Sequence, residues 1–212
     1  NARAAALHWD ANGDTVNTGG DGNWNTADLT WRDSLWPLNP LTNWTNGDSV
    51  VLPAAGWPNN GVPGTLTLTD DITATGINAG QGGYTIEAAP GKSLTLDATA
   101  GGYTIVCSTL TISAPVVLTG GTLGVQEAGN GILTFDGIIS QAGSEILGIN
   151  LSWNGGSGGT MVLNGDNTFS GTVTVNGNET LVLGHNNAAG TGTLVMNGGS
   201  VAAANGDRII NN

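Results

Sequence analysis

The chain has 212 residues, of which 36 are glycine and only 9% are charged, whereas about 25% are charged in an average soluble domain. The net charge of −12 excludes nucleic acid as a partner, because phosphate neutralisation needs clustered Lys and Arg. No apolar run approaches the roughly 18 residues of a membrane span, so no membrane insertion is expected. The 39% of hydrophobic residues can still form a continuous core.

The N-terminal region, residues 1–62, differs from the rest in its aromatic content. Large aromatic side chains bury much area in a small, irregular unit. We therefore predict a Trp-rich cap or small β subdomain over 1–62, followed by a second unit over 63–212. Six of the seven tryptophans fall in the first unit: Trp9, Trp24, Trp31, Trp36, Trp44 and Trp57.

The same tryptophans are candidates for glycan contact, because exposed Trp faces stack on sugar rings. The alternative is that they close one end of the fold, since a terminal unit must cover an otherwise wet apolar layer.

An oxygen-rich stretch near the N-terminus is a candidate calcium site. Asp10, Asn12 and Asp14 alternate along a loop, and Asp21 follows in Gly-Gly-Asp-Gly. Calcium takes six to eight hard oxygen ligands, which suits these side chains. The alternative is that they form Asx turns without a metal.

From Thr65 onward the sequence predicts short strands. Val, Leu and Thr alternate in runs that Asn-Gly or Gly-Gly interrupts, and such alternation is typical of strands with one buried face. The predicted strands are 94–96, 110–112, 116–118, 132–135, 145–151, 161–163, 172–175 and 181–183. The string GGYTI occurs at Gly82–Ile86 and, 19 positions later, at Gly101–Ile105. This spacing favours an all-β parallel solenoid of about six to seven coils, with a β-sandwich as the alternative.

Little in the sequence indicates catalysis. Cys107 lies inside an apolar strand and is predicted to be a core residue, since free cysteines are among the most buried residues. Asp70 and Asp71 are the only adjacent carboxylates, and neighbouring side chains of a strand point to opposite faces. The chain is therefore predicted not to be an enzyme, with a polysaccharide lyase or hydrolase as the less favoured alternative.

The stretch Leu163–Ala204 resembles the autotransporter-associated β-strand repeat, also called the passenger-associated transport repeat. The matching parts are Asn-Thr-Phe-Ser-Gly at 167–171, the run through Leu181 and Gly184, and Asn-Ala followed by Gly-Thr-Gly at 187–192. The departure is Asn178-Glu179, where the family often has Gly-Thr. The resemblance implies a right-handed parallel β-helix on secreted or surface-displayed bacterial proteins, acting as a stalk or adhesive scaffold without a catalytic motif.

The C-terminal residues are strand-like with no polar cap in the sequence, which predicts an exposed apolar end. We expect Val201, Arg208, Ile209 and Ile210 to form an interface through which copies assemble head to tail. The leading hypothesis is a non-enzymatic, extracellular structural protein of the bacterial surface, a subunit of a fibre, stalk or sheath. The alternative is an adhesin that binds cell-surface glycans through the Trp-rich region. Apart from calcium, no cofactor is expected.

Overall fold

The computed structural model describes residues 4–14, 16–33, 39–54, 61–102, 104–144, 146–153 and 158–210. These ranges contain 19 β-strands and no helix, as the alternating sequence pattern predicts. The strands are β1 (Ala6–Trp9), β2 (Gly22–Trp24), β3 (Trp31–Arg32), β4 (Ser49–Leu52), β5 (Thr65–Leu68), β6 (Ile72–Ala74), β7 (Gly76–Ala79), β8 (Tyr84–Ala88), β9 (Leu94–Asp97), β10 (Ile105–Ile112), β11 (Val116–Thr119), β12 (Leu123–Phe135), β13 (Ile139–Gln141), β14 (Ile149–Trp153), β15 (Thr160–Leu163), β16 (Val173–Asn176), β17 (Thr180–Leu183), β18 (Leu194–Asn197) and β19 (Ser200–Ala203).

The strands stack in register into three parallel faces. The first face is β1-β4-β7-β10-β12-β14-β16-β18, the second is β2-β5-β8-β10-β12-β15-β17-β19, and the third is β6-β9-β11-β13. The long strands β10 and β12 bend from the first face into the second. The chain thus forms a parallel β-solenoid of about six turns, which confirms the predicted fold and replaces the sandwich alternative.

Inward-facing residues form apolar columns that run through the coils. In one column on the second face, each residue pairs in register with the next, and every member is at most 2% exposed. Its members are Leu66, Ile86, Ile112, Phe135, Leu163 and Leu183. Because successive side chains of a strand point to opposite faces, the alternating sequence puts these residues in the core and Thr, Asn or Ser outside.

The repeated string that suggests a coil length does not mark equivalent positions. The first GGYTI contributes to β8, where Tyr84 pairs with Leu110. The second leads into β10, where Ile105 pairs with Ile77 on one side and Val125 on the other. The two strings therefore lead into strands on different faces, so their 19-position spacing is not the length of a coil. Coil length varies: Val125 is 20 positions after Ile105, whereas Ile105 is 28 positions after Ile77.

Strands from both predicted units share one sheet. β4, from residues 1–62, pairs in parallel with β1 on one side and with β7 on the other. The division at residues 62 and 63 stays a prediction. Within the described ranges, no helix has the length and apolar character to cross a membrane.

Candidate functional site

Four tryptophans form a cluster in the core at the N-terminal end of the solenoid. Trp9, Trp24, Trp31 and Trp44 are between 0% and 2% exposed. Trp31 lies at the centre, with its ring centroid 4.9 Å from those of Trp9 and Trp44 and 5.2 Å from that of Trp24. Tilted and edge-to-face arrangements at these distances are favourable for aromatic pairs.

Burial of the cluster bears on the glycan hypothesis. The four rings offer no exposed face for stacking on a sugar, so binding through them would require this end of the chain to open. Trp36 and Trp57, the other candidates, lie outside the described residues. The cluster instead closes the apolar columns, which was the alternative interpretation of these tryptophans.

A short antiparallel strand covers the same end of the solenoid. β3 pairs antiparallel with β1, so that Trp31 lies opposite Trp9 and Arg32 lies opposite His8. Trp31 also exchanges backbone hydrogen bonds with Thr42. The outer edge of β1 is therefore occupied, and a strand arriving from another molecule would have to displace β3.

A buried ion pair fixes β3 against the Trp cluster. The Nε of Arg32 donates to the Oδ2 of Asp10 at 2.5 Å, and the two side chains are 7% and 0% exposed. The same guanidinium donates to the carbonyl oxygen of Asn39. Burial raises the pKa of Asp10, while the hydrogen bond and charge of Arg32 oppose that rise. This pairing is not visible in the sequence, because 22 positions separate the two residues.

The candidate calcium ligands already have hydrogen-bond or ionic partners. Asn12 accepts from the amide of Asp14 at 2.9 Å and Asp14 accepts from the amide of Val16 at 2.9 Å, the geometry of Asx turns. Asp21 accepts from the amide of Thr65 at 2.7 Å, and Asp10 is bound to Arg32. In the described ranges no three His, Cys, Asp or Glu side chains are grouped to hold a metal. Calcium binding at these four residues stays a prediction, which a thermal melt with and without a chelator would test.

The repeat-like motif at residues 167–171 links three successive coils. Asn167 is 2% exposed; its Oδ1 accepts from the amide of Ile139 and its Nδ2 donates to the carbonyl of Ala188, both at 2.7 Å. Phe169 is fully buried. Gly190 has φ of 71°, and a Cβ there would lie 2.4 Å from the carbonyl oxygen of Phe169. The residues that carry the family resemblance are thus inter-coil contacts.

Amide side chains of β14, β16 and β18 continue this stacking along the first face. The Nδ2 of Asn176 donates to the Oδ1 of Asn150, and the Nδ2 of Asn197 donates to the Oδ1 of Asn176, both at 2.8 Å. Each amide therefore satisfies its neighbour in the next coil, which fixes the register of coils whose outer faces are otherwise similar.

The last coil leaves inward-facing positions exposed. Met196 stacks on Val175 and Val201 stacks on Leu181, yet Met196 is 40% and Val201 43% exposed. In the described part of the chain, no strand pairs with the other edge of β18 or β19.

The other predicted interface residues lie beside this coil. Ile209 is 69% exposed, whereas Ile210 packs partly against the core. The Nη2 of Arg208 donates to the carbonyl of Ala204 at 2.7 Å. Val201 and Ile209 are accessible to a partner, while Arg208 and Ile210 also hold the end of the chain against the last coil.

The carboxylates considered for catalysis have structural partners. Asp70 accepts from the amide and hydroxyl of Thr26 at 3.1 and 3.0 Å, and these hydrogen bonds lower its pKa. Asp71 accepts from the amide of Ser93 at 3.1 Å and lies 3.8 Å from the Nζ of Lys92. Each carboxylate therefore caps a neighbouring backbone segment.

Two buried carboxyls, those of Glu127 and Glu179, are not indicated by the sequence pattern. Glu127 and Glu179 are 1% and 0% exposed; the sequence indicated Glu179 only as a departure from the repeat pattern at a turn, and nothing in it singled out Glu127. Cys107, predicted to be buried, is confirmed as a core residue and pairs in register with Glu127. Burial and, to a smaller extent, the charge of Glu127 raise the pKa of Cys107 to about 12. A thiol of this kind does not act as a nucleophile.

Comparison with known proteins gives a distant match. The chain is 31% identical over 171 residues, which is 77% of its length, to a protein of Brucella suis biovar 1 (strain 1330) named adhesin BmaC autotransporter. It spans 4% of the length of that protein. No family model matches the chain, and no solved structure matches it. The chain is thus distantly similar to part of an autotransporter adhesin, and its β-solenoid is consistent with the passenger repeats of such proteins.

Proposed function

We propose that this chain is a non-enzymatic structural segment of a surface-exposed autotransporter passenger. It serves as a stiff spacer whose coils hold neighbouring parts of the passenger at a fixed separation. Its extracellular location and its membership of the autotransporter-associated repeat family are parts of the same proposal, supported by the similarity to a named autotransporter adhesin.

The observation that carries the proposal is the unbroken stacking of the coils. On the first face a single column runs in register from Leu7 near one end to Met196 near the other. Buried polar links such as Asn167 join successive coils at the corners. A chain whose coils stack in register on their neighbours is suited to mechanical support.

Surface display can be tested on cells that produce the protein. Antibodies raised against the 212-residue chain should label intact cells, and added protease should remove the label. An antibody to a cytoplasmic protein serves as the control and should label permeabilised cells alone. Labelling of the chain that also requires permeabilisation would contradict the proposal.

Adhesion is the second candidate, because the matched protein is named an adhesin. The buried Trp cluster does not favour sugar stacking, so any glycan contact would involve other surfaces or the tryptophans outside the described residues. A glycan array probed with the folded chain tests this function. Reproducible binding that survives replacement of Trp36 and Trp57 by Ala would place the contact elsewhere.

Assembly of copies into a fibre is a further part of the proposal. The surface it would use includes Met196 and Val201, which are partly exposed in the 212-residue chain. β3 covers the opposite end, so head-to-tail contact would bring the exposed coil of one copy against the capped end of another.

A further inference from the structure

Glu127 occupies a position in an inward column that hydrophobic residues fill elsewhere. It pairs in register with Cys107, which in turn pairs with Ala79; all three are at most 1% exposed. In the described part of the chain neither carboxyl oxygen of Glu127 has a hydrogen-bond partner. An unpaired carboxylate in such a place would be strongly destabilising, whereas a neutral carboxyl is tolerated.

Glu127 and Glu179 both lie beside Gly159. The Oε2 of Glu179 accepts from the amide of Gly159 at 2.6 Å. A Cβ added to Gly159 would lie 2.8 Å from the Cγ of Glu127 and 3.0 Å from the Oε2 of Glu179, so the two side chains flank one point of the chain. Two carboxyls held this close in a dry interior cannot both ionise without mutual repulsion.

No cationic side chain among the described residues neutralises the pair. Arg32 is bound to Asp10, Lys92 lies beside Asp71, and Arg208 donates to a carbonyl of the last coil. Residues 154–157, which lie outside the described ranges, are Asn-Gly-Gly-Ser in the sequence and add no cation.

Among the described residues, the elements packed around the pair contribute one other titratable group, Cys107 of β10. The backbone of β14 pairs in register with Glu127 at position 153, and the last coil approaches the backbone of Glu179 at Gly199. The pair therefore depends on protons for its neutrality.

We propose that Glu127 and Glu179 form a proton-dependent latch that keeps neighbouring coils closed while it is protonated and loosens them, exposing Cys107, when it ionises. Burial, together with the charge of Glu179, raises the pKa of Glu127 to about 8, and burial also raises the pKa of Glu179. In the unfolded chain both return toward the ordinary value of 4.5. At pH values between the unfolded and the folded pKa, the folded state therefore binds more protons than the unfolded state. The free energy of unfolding is highest below the unfolded pKa and falls as the pH rises through the folded pKa.

Thermal unfolding of the 212-residue chain tests the latch. We expect the Tm to fall by about 5–15 °C between about pH 5.5 and about pH 8.5. Glu127→Gln, which is uncharged and of similar shape, should remove most of this fall. Glu87→Gln is the matched control, because Glu87 is exposed and accepts from Thr67 on the outer face; it should retain the wild-type pH dependence. A wild-type Tm that does not fall over this range, or an equal fall in Glu127→Gln, would overturn the proposal.

Two further measurements keep the test decisive if Glu127→Gln does not fold. Infrared spectra of the native chain near neutral pH should show the carbonyl band of a protonated carboxyl, which Glu179→Gln should diminish. Labelling of Cys107 by a thiol reagent should accelerate at alkaline pH more in the wild type than in Glu179→Gln, which separates exposure from the ionisation of the thiol itself. Absence of the band, or equal acceleration in both proteins, would contradict the latch.

Discussion

Arg32 donates to Asp10 at 2.5 Å, each residue directly follows a tryptophan of the buried cluster in the chain, and both side chains are less than 10% exposed. A buried ion pair adds little stability over a well-packed apolar pair, but loss of one partner leaves the other uncompensated. The pair therefore makes the Trp-capped end sensitive to single substitutions.

We predict that Arg32→Ala destabilises the chain by about 3–5 kcal/mol at neutral pH, because Asp10 remains buried without its cation. Chemical denaturation monitored by Trp fluorescence measures the loss. Lys92→Ala is the control: its pair with Asp71 is solvent-exposed at 3.8 Å and should matter by less than about 0.5 kcal/mol. If the double variant Asp10→Ala/Arg32→Ala loses as much stability as the sum of the two single variants, the pair is not coupled.

Alternate side chains of the C-terminal strands face the core, so Asp substitutions at neighbouring residues should have opposite effects on folding. Val173→Asp and Leu181→Asp should each prevent folding, because both side chains are fully buried and an unpaired carboxylate there is heavily penalised. Thr174→Asp, on the outer face between Val173 and Val175, should fold normally. Far-UV circular dichroism and solubility distinguish these outcomes. Wild-type behaviour of both buried variants would refute the inward assignment.

Asn167→Ala should weaken the link between coils. The substitution leaves the amide of Ile139 and the carbonyl of Ala188 without their buried partner, which we expect to cost about 2–4 kcal/mol. The exposed Asn178→Ala in the Gly177 turn is the control and should change stability by less than about 0.5 kcal/mol. Hydrogen exchange of the Ile139 amide should accelerate in the first variant. Unchanged protection at that amide would show that Asn167 is not the linking group.

If copies associate through the last coil, their association should depend on the side chains that are exposed on that coil. Val201→Lys introduces a charge at a position that stacks on Leu181 and should abolish filaments seen by electron microscopy while leaving the fold intact. Deletion of Asp207–Asn212 should have the same effect. Val195→Lys is matched in exposure, at 39%, but lies in register with the outward Thr174, so it should leave filaments unchanged. A strictly monomeric wild type at high concentration would contradict this part of the proposal.

The sequence by itself determined which apolar residues of the regular strands face the core. Period-two alternation in runs such as Thr172–Val175 and the Asn-Gly breaks between runs predict short strands with one buried face, and the strands over residues 173–176 and 180–183 lie where this pattern indicates. The reason is local: side-chain direction alternates along any strand, and Gly or Asn tolerates the turn that ends it. The core position of Cys107 follows from the same pattern, whereas alternation alone suits a sandwich as well as a parallel solenoid.

Only the tertiary structure decided which strand stacks on which, and which residues each buried polar group contacts. The two GGYTI strings lie on different faces because turns of unequal length, not similarity of strands, set the register. The pairing of Asp10 with Arg32 and the convergence of Glu127 and Glu179 join residues that are 22 and 52 positions apart in the sequence. A charged residue in an alternating β pattern is predicted to lie on the surface. Burial of a carboxyl is unfavourable unless its neighbours neutralise it or favour its protonated form. Those neighbours come from other coils, so the chain alone does not reveal them.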